Sequence, residues 1–336
     1  MNKPRSPIAV LGAGSWGTAL ASLLAGNGQS TMLWTRDSAQ AAEMMASRHN
    51  PRYLYEIDLP EQLQVHSDIR QVVSGADDVL VVVPTQGFRP VLREIAPHLS
   101  AAARIAWASK GLEPDSGKLL HEVVAEELGL RRPVAVISGP TFAREVALGL
   151  PTALTVASNV PEFAAALAAR LGNNHFRAYT SDDVIGVEVG GAIKNVLAIA
   201  AGIADGLGFG ANTQAALVTR GLAEMMRLGV VLGGQRETFM GLAGLGDLVL
   251  TCTDDQSRNR RVGLALARGQ TLAEACDSVR QVAEGVKAAR EVQGQARKHG
   301  VEMPITEQVC RVLYEGLEPR AAVQVLLQRE QKAENL

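Results

Sequence analysis

Ile8-Ala9-Val10-Leu11-Gly12-Ala13-Gly14-Ser15-Trp16-Gly17 decides the fold. Four apolar residues run straight into a glycine, as a parallel strand buried on both faces does. GxGxxG follows, and residues 18–26 then carry a helical pattern. Strand before and helix after is the context that makes this motif a dinucleotide site. In that reading Gly12 permits the tight turn and Gly14 lets a pyrophosphate approach the backbone. Gly17 lets helix and strand pack closely, and the helix N-terminus offers N–H groups to the phosphates.

Residues 31–34 form the next expected strand, ending in Trp34-Thr35-Arg36-Asp37. The end of this strand is where coenzymes are told apart. Arg36 can pair with a 2′-phosphate, which favours NADPH, and Asp37 keeps NADH open. The alternative for Arg36 is an ordinary solvated loop residue. Residues 79–83, 105–108, 134–137, 154–157 and 176–180 read as further strands, with a helix over 161–171. Their alternation with helices predicts a Rossmann-like doubly wound α/β sheet. Ligands in such sheets bind beyond the carboxyl ends of the strands, where Lys110, Gly139 and Thr141 fall.

After residue 180 strand-like runs vanish and helical segments take over, which predicts an all-α second domain. The expected division is 1–180, binding the dinucleotide, and 181–336, helical and binding the substrate. Within the second part, Glu188-Val189-Gly190-Gly191-Ala192-Ile193-Lys194-Asn195 places one lysine in the long apolar segment 184–204. A buried ammonium needs a partner, a ligand or a lowered pKa. Gly190 and Gly191 share its helical face and would leave bare backbone for a small substrate. The plainer reading is a structural lysine paired with Glu188 or reaching solvent. Residues 241–248, glycine-rich for a helical region, supply Asp247 as a candidate partner for Lys194. Ser257-Arg258-Asn259-Arg260-Arg261, at a helix start, is a candidate anion site, or else a solvated basic turn.

Composition narrows the classes. The chain has 336 residues, is 47% hydrophobic and carries a net charge of −2, with no basic block, which argues against a nucleic-acid partner. Cys252, Cys276 and Cys310 are odd in number and widely spaced, so they imply neither a disulfide framework nor a zinc site. No metal-ligand spacing stands out among the histidines. Glu188 and Lys194 interrupt segment 184–204, so a buried core helix is expected there rather than an integral membrane span. With no secretion signal, a cytoplasmic location is expected.

Taken in order, Gly12–Gly17, Ser109-Lys110-Gly111, Ser138-Gly139-Pro140-Thr141-Phe142-Ala143, residues 188–195, residues 241–248 and Ser257-Arg258-Asn259 resemble the bacterial-type NAD(P)-dependent glycerol-3-phosphate dehydrogenases. The likeness spans roughly residues 8–330. It implies reversible reduction of dihydroxyacetone phosphate to sn-glycerol 3-phosphate with NADPH or NADH, feeding phospholipid synthesis. It implies that Lys194 donates or accepts the proton. It implies that Lys110, Gly139, Thr141, Lys194, Asp247, Ser257, Arg258 and Asn259 line the substrate. Ser15, Trp16, Arg36, Lys110, Ala143, Arg258, Val282 and Glu284 would contact the coenzyme, beside Gly12, Gly14 and Gly17. No metal is required, and a homodimer is left open. The rivals are a related dehydrogenase of 3-hydroxy acids or sugar acids, and a redox sensor that binds NAD(P)H without turnover.

Overall fold

A computed structural model describes residues 7–279 and 282–330. The chain forms two compact units. One holds the described residues up to Ser109 together with Leu120–Val184, and the other holds Lys110–Leu119 with the described residues from Ile185 onward. The single boundary expected near residue 180 leaves out this ten-residue excursion after the strand at 104–107.

The first unit is built on an eight-stranded sheet: β1 (Ile8–Leu11), β2 (Thr31–Trp34), β3 (Gln64–His66), β4 (Asp78–Val81), β5 (Arg104–Trp107), β6 (Val134–Ser138), β7 (Thr152–Ser158) and β8 (Phe176–Ser181). The order is β3-β2-β1-β4-β5-β6-β7-β8. Its helices are α1 (Ser15–Gly26), α2 (Ser38–Ser47), α3 (Ile69–Val73), α4 (Thr85–Ile95), α5 (Leu120–Leu128), α6 (Ala143–Ala147) and α7 (Pro161–Leu171). β1 and β4 are buried along their whole length, which is why they read as unbroken apolar runs rather than alternations.

Two features depart from the expectation. β3 was not foreseen; its sequence Gln-Val-His has no apolar run, and it exists because Met32, Leu33 and Trp34 of β2 pair with it. β7 lies antiparallel to β6, although every other neighbouring pair is parallel. The connection between them carries only the five-residue α6. A parallel return usually runs through a full crossover helix that carries the chain back along the sheet; α6 is too short for that, and β7 starts at the end where β6 stops.

The second unit is helical: α8 (Val184–Gly206), α9 (Ala211–Val231), α10 (Arg236–Met240), a π turn (Leu242–Gly246), α11 (Asp247–Thr253), α12 (Arg258–Ala267), α13 (Leu272–Ser278), α14 (Glu284–Lys298), α15 (Pro304–Tyr314) and α16 (Pro319–Leu327). Among the described residues α8 alone is long and apolar enough to cross a membrane, and 94% of its apolar window is buried inside the protein. Its neighbours reach it through glycine. A Cβ on Gly202 would lie 2.0 Å from the Arg260 carbonyl oxygen, and one on Gly263 would lie 2.1 Å from that of Ile199. α8 and α12 therefore cross backbone to backbone. A Cβ on Gly285, at the start of α14, would come within 2.4 Å of the Asn195 carbonyl oxygen.

Candidate active site

In the first unit the glycine turn has the geometry its sequence implies. Gly12 has φ +120°, a conformation side chains rarely adopt, and its amide donates to the Trp34 carbonyl at 3.0 Å. An added Cβ on Gly17 would sit 1.8 Å from the Gly12 carbonyl oxygen, whereas one on Gly14 would meet nothing within 4 Å. Two of the glycines are thus demanded by the protein itself. The third leaves open space in front of the N-terminus of α1, which no side chain caps. The Trp16 Nε1–H is buried and has no acceptor among the described residues. This cradle and its orphaned donor fit the pyrophosphate of a dinucleotide.

Around the turn runs a buried amide network. Asn50, fully buried, donates from Nδ2 to the Ala13 carbonyl at 3.0 Å and to Thr18 Oγ1 at 2.8 Å. Gln40 Nε2 also donates to the Ala13 carbonyl, while Thr35 donates to Gln40 Oε1. Arg36 is exposed at the end of β2 and has no ion-pair partner among the described residues. Asp37 follows it, with its side chain 35% exposed. Its side chain caps α2 and pairs with Arg52. Gly139 and Thr141 lie just beyond β6, with Thr141 Oγ1 donating to the Gly139 carbonyl at 3.2 Å. A Cβ on Gly139 would come 2.8 Å from Leu154 Cα, so the passage of β7 also demands a glycine there. Ala143 opens α6.

The second unit gathers the charged residues. Lys194 projects from α8 and is 7% exposed. The π turn delivers Asp247, 1% exposed, at the first position of α11. Lys110 begins the excursion 110–119. Asp247 Oδ1 accepts from Lys194 Nζ at 2.7 Å, and Oδ2 accepts from Lys110 Nζ at 2.7 Å. One carboxylate therefore holds both ammoniums, where the sequence pointed to it as a partner for one. Lys194 Nζ also donates to Thr251 Oγ1 at 3.0 Å, and that hydroxyl donates to the Asp247 carbonyl at 2.5 Å. Thr251 was missed from sequence. Its spacing of four from Asp247 on one helix was the available signal.

Burial drives the Lys194 pKa down to about 8 against the pull of Asp247, with Lys110 assisting the fall. Desolvation, not the second lysine, is thus the main cause. Burial would raise the Asp247 carboxyl, but the two ammoniums outweigh it and hold it below the usual range. Burial pushes the Glu284 carboxyl up, while Arg258, Lys194 and Lys110 draw it back. Glu284 opens α14 and so feels the same cations.

Two expectations about this cluster are corrected. Gly190 does not leave bare backbone for a substrate, because a Cβ there would lie 2.5 Å from the Ala243 carbonyl oxygen of the π turn. Glycine serves close packing at that position. Nor do several guanidiniums gather at the start of α12. Arg260 is buried, donates to the Cys252 carbonyl and pairs with Asp205 and Asp255. Ser257 Oγ accepts from the Arg260 amide as the N-cap. Asn259 donates to Asn195 Oδ1 at 2.9 Å and accepts from the Gly285 amide at 2.9 Å, which ties α8, α12 and α14 together. Arg258, partly buried, acts on the Glu284 carboxyl, and Arg261 is exposed. Val282, before α14, is 41% exposed.

Comparison with known proteins agrees over nearly the whole chain. Residues 7–164 match the family model for the NAD-dependent glycerol-3-phosphate dehydrogenase N-terminus, and residues 183–324 match that for its C-terminus. The glycerol-3-phosphate dehydrogenase [NAD(P)+] of Nitrosococcus oceani is 59% identical over 325 residues, covering 97% of this chain and 94% of that protein. The crystal structure of the Coxiella burnetii glycerol-3-phosphate dehydrogenase is 53% identical with a TM-score of 0.94, covering 97% of this chain and 99% of that one. That of the Saccharomyces cerevisiae enzyme is 26% identical with a TM-score of 0.84, covering 96% and 99%.

Proposed function

Since the chain belongs to the NAD-dependent glycerol-3-phosphate dehydrogenases, we propose that Lys194, held by Asp247, is the group that moves the proton in its reaction. The reaction itself is the reversible reduction of dihydroxyacetone phosphate to sn-glycerol 3-phosphate with NADH or NADPH. The observation that carries the proposal is a single buried carboxylate accepting from two lysines at 2.7 Å each.

When bound, the dinucleotide supplies the hydride that reaches C2 of the substrate. In the first unit the residues that would hold it are Gly12, Gly14, Ser15, Trp16, Gly17, Arg36 and Ala143. The C2–O π pair moves onto the carbonyl oxygen, and the Lys194 ammonium gives that oxygen its proton, leaving a neutral amine. The Lys110 ammonium stabilises the developing negative charge. Asp247 aims both ammoniums, so neither reorganises as charge builds. In the oxidation direction the neutral Lys194 amine takes the hydroxyl proton. A pKa of about 8 makes both forms accessible near neutrality.

Arg258 and the N-terminus of α12, capped by Ser257, receive the phosphate. Asn259 holds that helix start in place. NADPH is the favoured coenzyme, because Arg36 offers a cation at the end of β2 and Asp37 is engaged elsewhere. The product serves phospholipid synthesis in the cytoplasm, a compartment that suits the three free cysteines. A homodimer is the assembly this reading expects, and the exposed Val230, Val231 and Leu327 of α9 and α16 support it.

The test is Lys194→Ala, assayed for NADPH oxidation with dihydroxyacetone phosphate while coenzyme binding is followed by nicotinamide fluorescence. Turnover is expected to fall about 100- to 10,000-fold with NADPH affinity nearly intact. A folded variant with near-normal kcat would remove Lys194 from the mechanism.

A further inference from the structure

The rim beyond β2 carries a second arginine that the sequence did not single out. Arg52 sits in the turn 50–54, where the Asn50 carbonyl accepts from the Tyr53 and Leu54 amides. This turn is fixed to the dinucleotide-binding loop by the buried Asn50 side chain, bonded to Ala13 and Thr18. Two residues further along, Arg52 is half exposed and its Nη1 donates to Asp37 Oδ2 at 2.7 Å. Asp37 directly follows Arg36. Asp37 and Arg52, from two segments, thus meet beyond the end of β2 next in sequence to Arg36, both segments anchored to the same carbonyl of Ala13.

Most of the acceptor capacity of Asp37 is taken up within the protein. Its Oδ1 accepts from the amides of Ala39 and Gln40, and its Oδ2 accepts from Arg52. The Gln40 amide, followed by Arg52, holds its carboxyl below the usual range, so it remains an anion. An unscreened carboxylate at the end of β2 would take the ribose hydroxyls of NADH and repel a 2′-phosphate. Here a guanidinium covers it, and the rim has two arginines against one carboxylate.

We propose that Arg52 is a coenzyme-specificity residue, screening Asp37 and, together with Arg36, binding the 2′-phosphate of NADPH. The proposal rests on the reading that the Gly12–Gly17 turn holds the dinucleotide with Arg36 toward the 2′ position. Phosphate oxygens prefer the planar fork of a guanidinium, and two forks converging on one phosphate add selectivity that one alone does not give. Arg52 can keep one N–H on Asp37 while others turn to the phosphate, since its five donors are not consumed by a single bond.

The experiment uses the full-length enzyme and two probes that differ only by the phosphate in question, 2′,5′-ADP and 5′-ADP. Their affinities are measured by calorimetry at fixed ionic strength for wild type, Arg52→Gln, Asp37→Asn and Arg36→Gln. The NADPH to NADH ratio of kcat/KM is measured alongside. Arg52→Gln is expected to weaken 2′,5′-ADP about tenfold, as loss of one charge-assisted contact does. It should leave 5′-ADP within about twofold and lower the NADPH to NADH ratio correspondingly. Asp37→Asn keeps an N-cap for α2 but removes the negative charge, so the ratio is expected to rise. An exposed ion pair contributes little to stability, so the melting temperatures should stay close to wild type. If Arg52→Gln weakens both probes equally, or leaves the ratio unmoved while Arg36→Gln lowers it, the proposal is overturned and the coenzyme reading stands. If 5′-ADP fails to bind wild type, or neither arginine moves the ratio, the underlying coenzyme reading falls and the proposal with it.

Discussion

Asp247→Asn removes one charge and keeps the shape of the side chain, so it isolates what the carboxylate does for the two lysines. In wild type, burial sets Lys194 at about 8, and Asp247 is the strongest of the influences that keep it from falling further. With an amide in its place, Lys194 titrates below its wild-type position. Each unit by which it drops under the assay pH costs a factor of about ten in protonated donor. An amide can still accept one ammonium hydrogen bond, but its NH2 turns a donor toward the other lysine, so aim is lost as well. We expect kcat/KM for dihydroxyacetone phosphate at pH 7.5 to fall by about 100-fold or more. The loss should shrink as the pH is lowered, because acid restores the proton though not the aim. Breaking a buried pair costs about 3–5 kcal/mol. The lower end applies, because the amine can release its proton and Lys110 keeps 13% side-chain exposure. The thermal midpoint should fall by about 4 °C. The assay is a pH series of initial rates with NADPH, paired with a melting curve. A variant whose activity limb stays at the wild-type pH, with an equal loss at every pH and an unchanged midpoint, would refute this account of Asp247.

Wild-type reduction should decline as pH rises through about 8, where Lys194 loses the proton it donates, and oxidation should gain over the same window; coincident profiles in the two directions would contradict this. Stability follows the same group: the folded pKa lies below the ordinary 10.5, so the unfolded chain binds more protons between about 8 and 10.5, and Lys194 adds stability as pH rises through that window. Subtracting the pH dependence of unfolding in Lys194→Met from that of wild type isolates this contribution. Gly202→Ala places a methyl 2.0 Å from the Arg260 carbonyl oxygen; it should cost about 3 kcal/mol in chemical denaturation, at the upper end of overpacking effects, and an unchanged midpoint would deny the close crossing of α8 and α12. Arg258→Ala should raise KM for dihydroxyacetone phosphate steeply and lower kcat, while turnover of unphosphorylated dihydroxyacetone, poor already, should be hurt far less. Equal losses toward both substrates would move the phosphate site elsewhere, with Lys110 the first place to look.

The parts of the molecule that could be read from the sequence are those in which local pattern and tertiary role coincide. Buried parallel strands are continuous apolar runs, so β1, β4, β5 and β6 declare themselves. The glycines of the first turn are spaced by the needs of a phosphate and a helix, and each behaves as that spacing requires. β3 has no such pattern, since its edge position is set by pairing with β2. Lys110, Lys194 and Asp247 were each named from sequence, but their attachment to the two oxygens of one carboxylate depends on the excursion 110–119 joining the helical unit. Nothing in the local sequence around Lys110 announces that excursion. The local role of Asp37 was hidden for a related reason. An acidic residue at the end of β2 looks like a ribose ligand until its cap on α2 and its pair with Arg52 are seen.

The glycines of the second unit explain how three segments so distant in sequence hold one charge cluster firmly. A buried lysine pair is tolerable only if the bridging carboxylate cannot drift, because a gap of one ångström would leave ammoniums without a partner. Asp247 is fixed from both sides. Upstream, the π turn presses its Ala243 carbonyl against Gly190 on α8, a contact that any larger residue would prevent. Downstream, Thr251 closes the first turn of α11 onto the Asp247 carbonyl and meets Lys194 with the same oxygen. The distance from Gly190 to Lys194 is about one helical turn, so the contact that seats the π turn also places Asp247 beside the lysine it must hold. Glycine in a helix interior costs about 1 kcal/mol relative to alanine, and here that cost is offset by a backbone approach that positions the carboxylate. An enlarged residue at Gly190 would therefore act on the Lys194 proton through Asp247, without touching the substrate or either lysine.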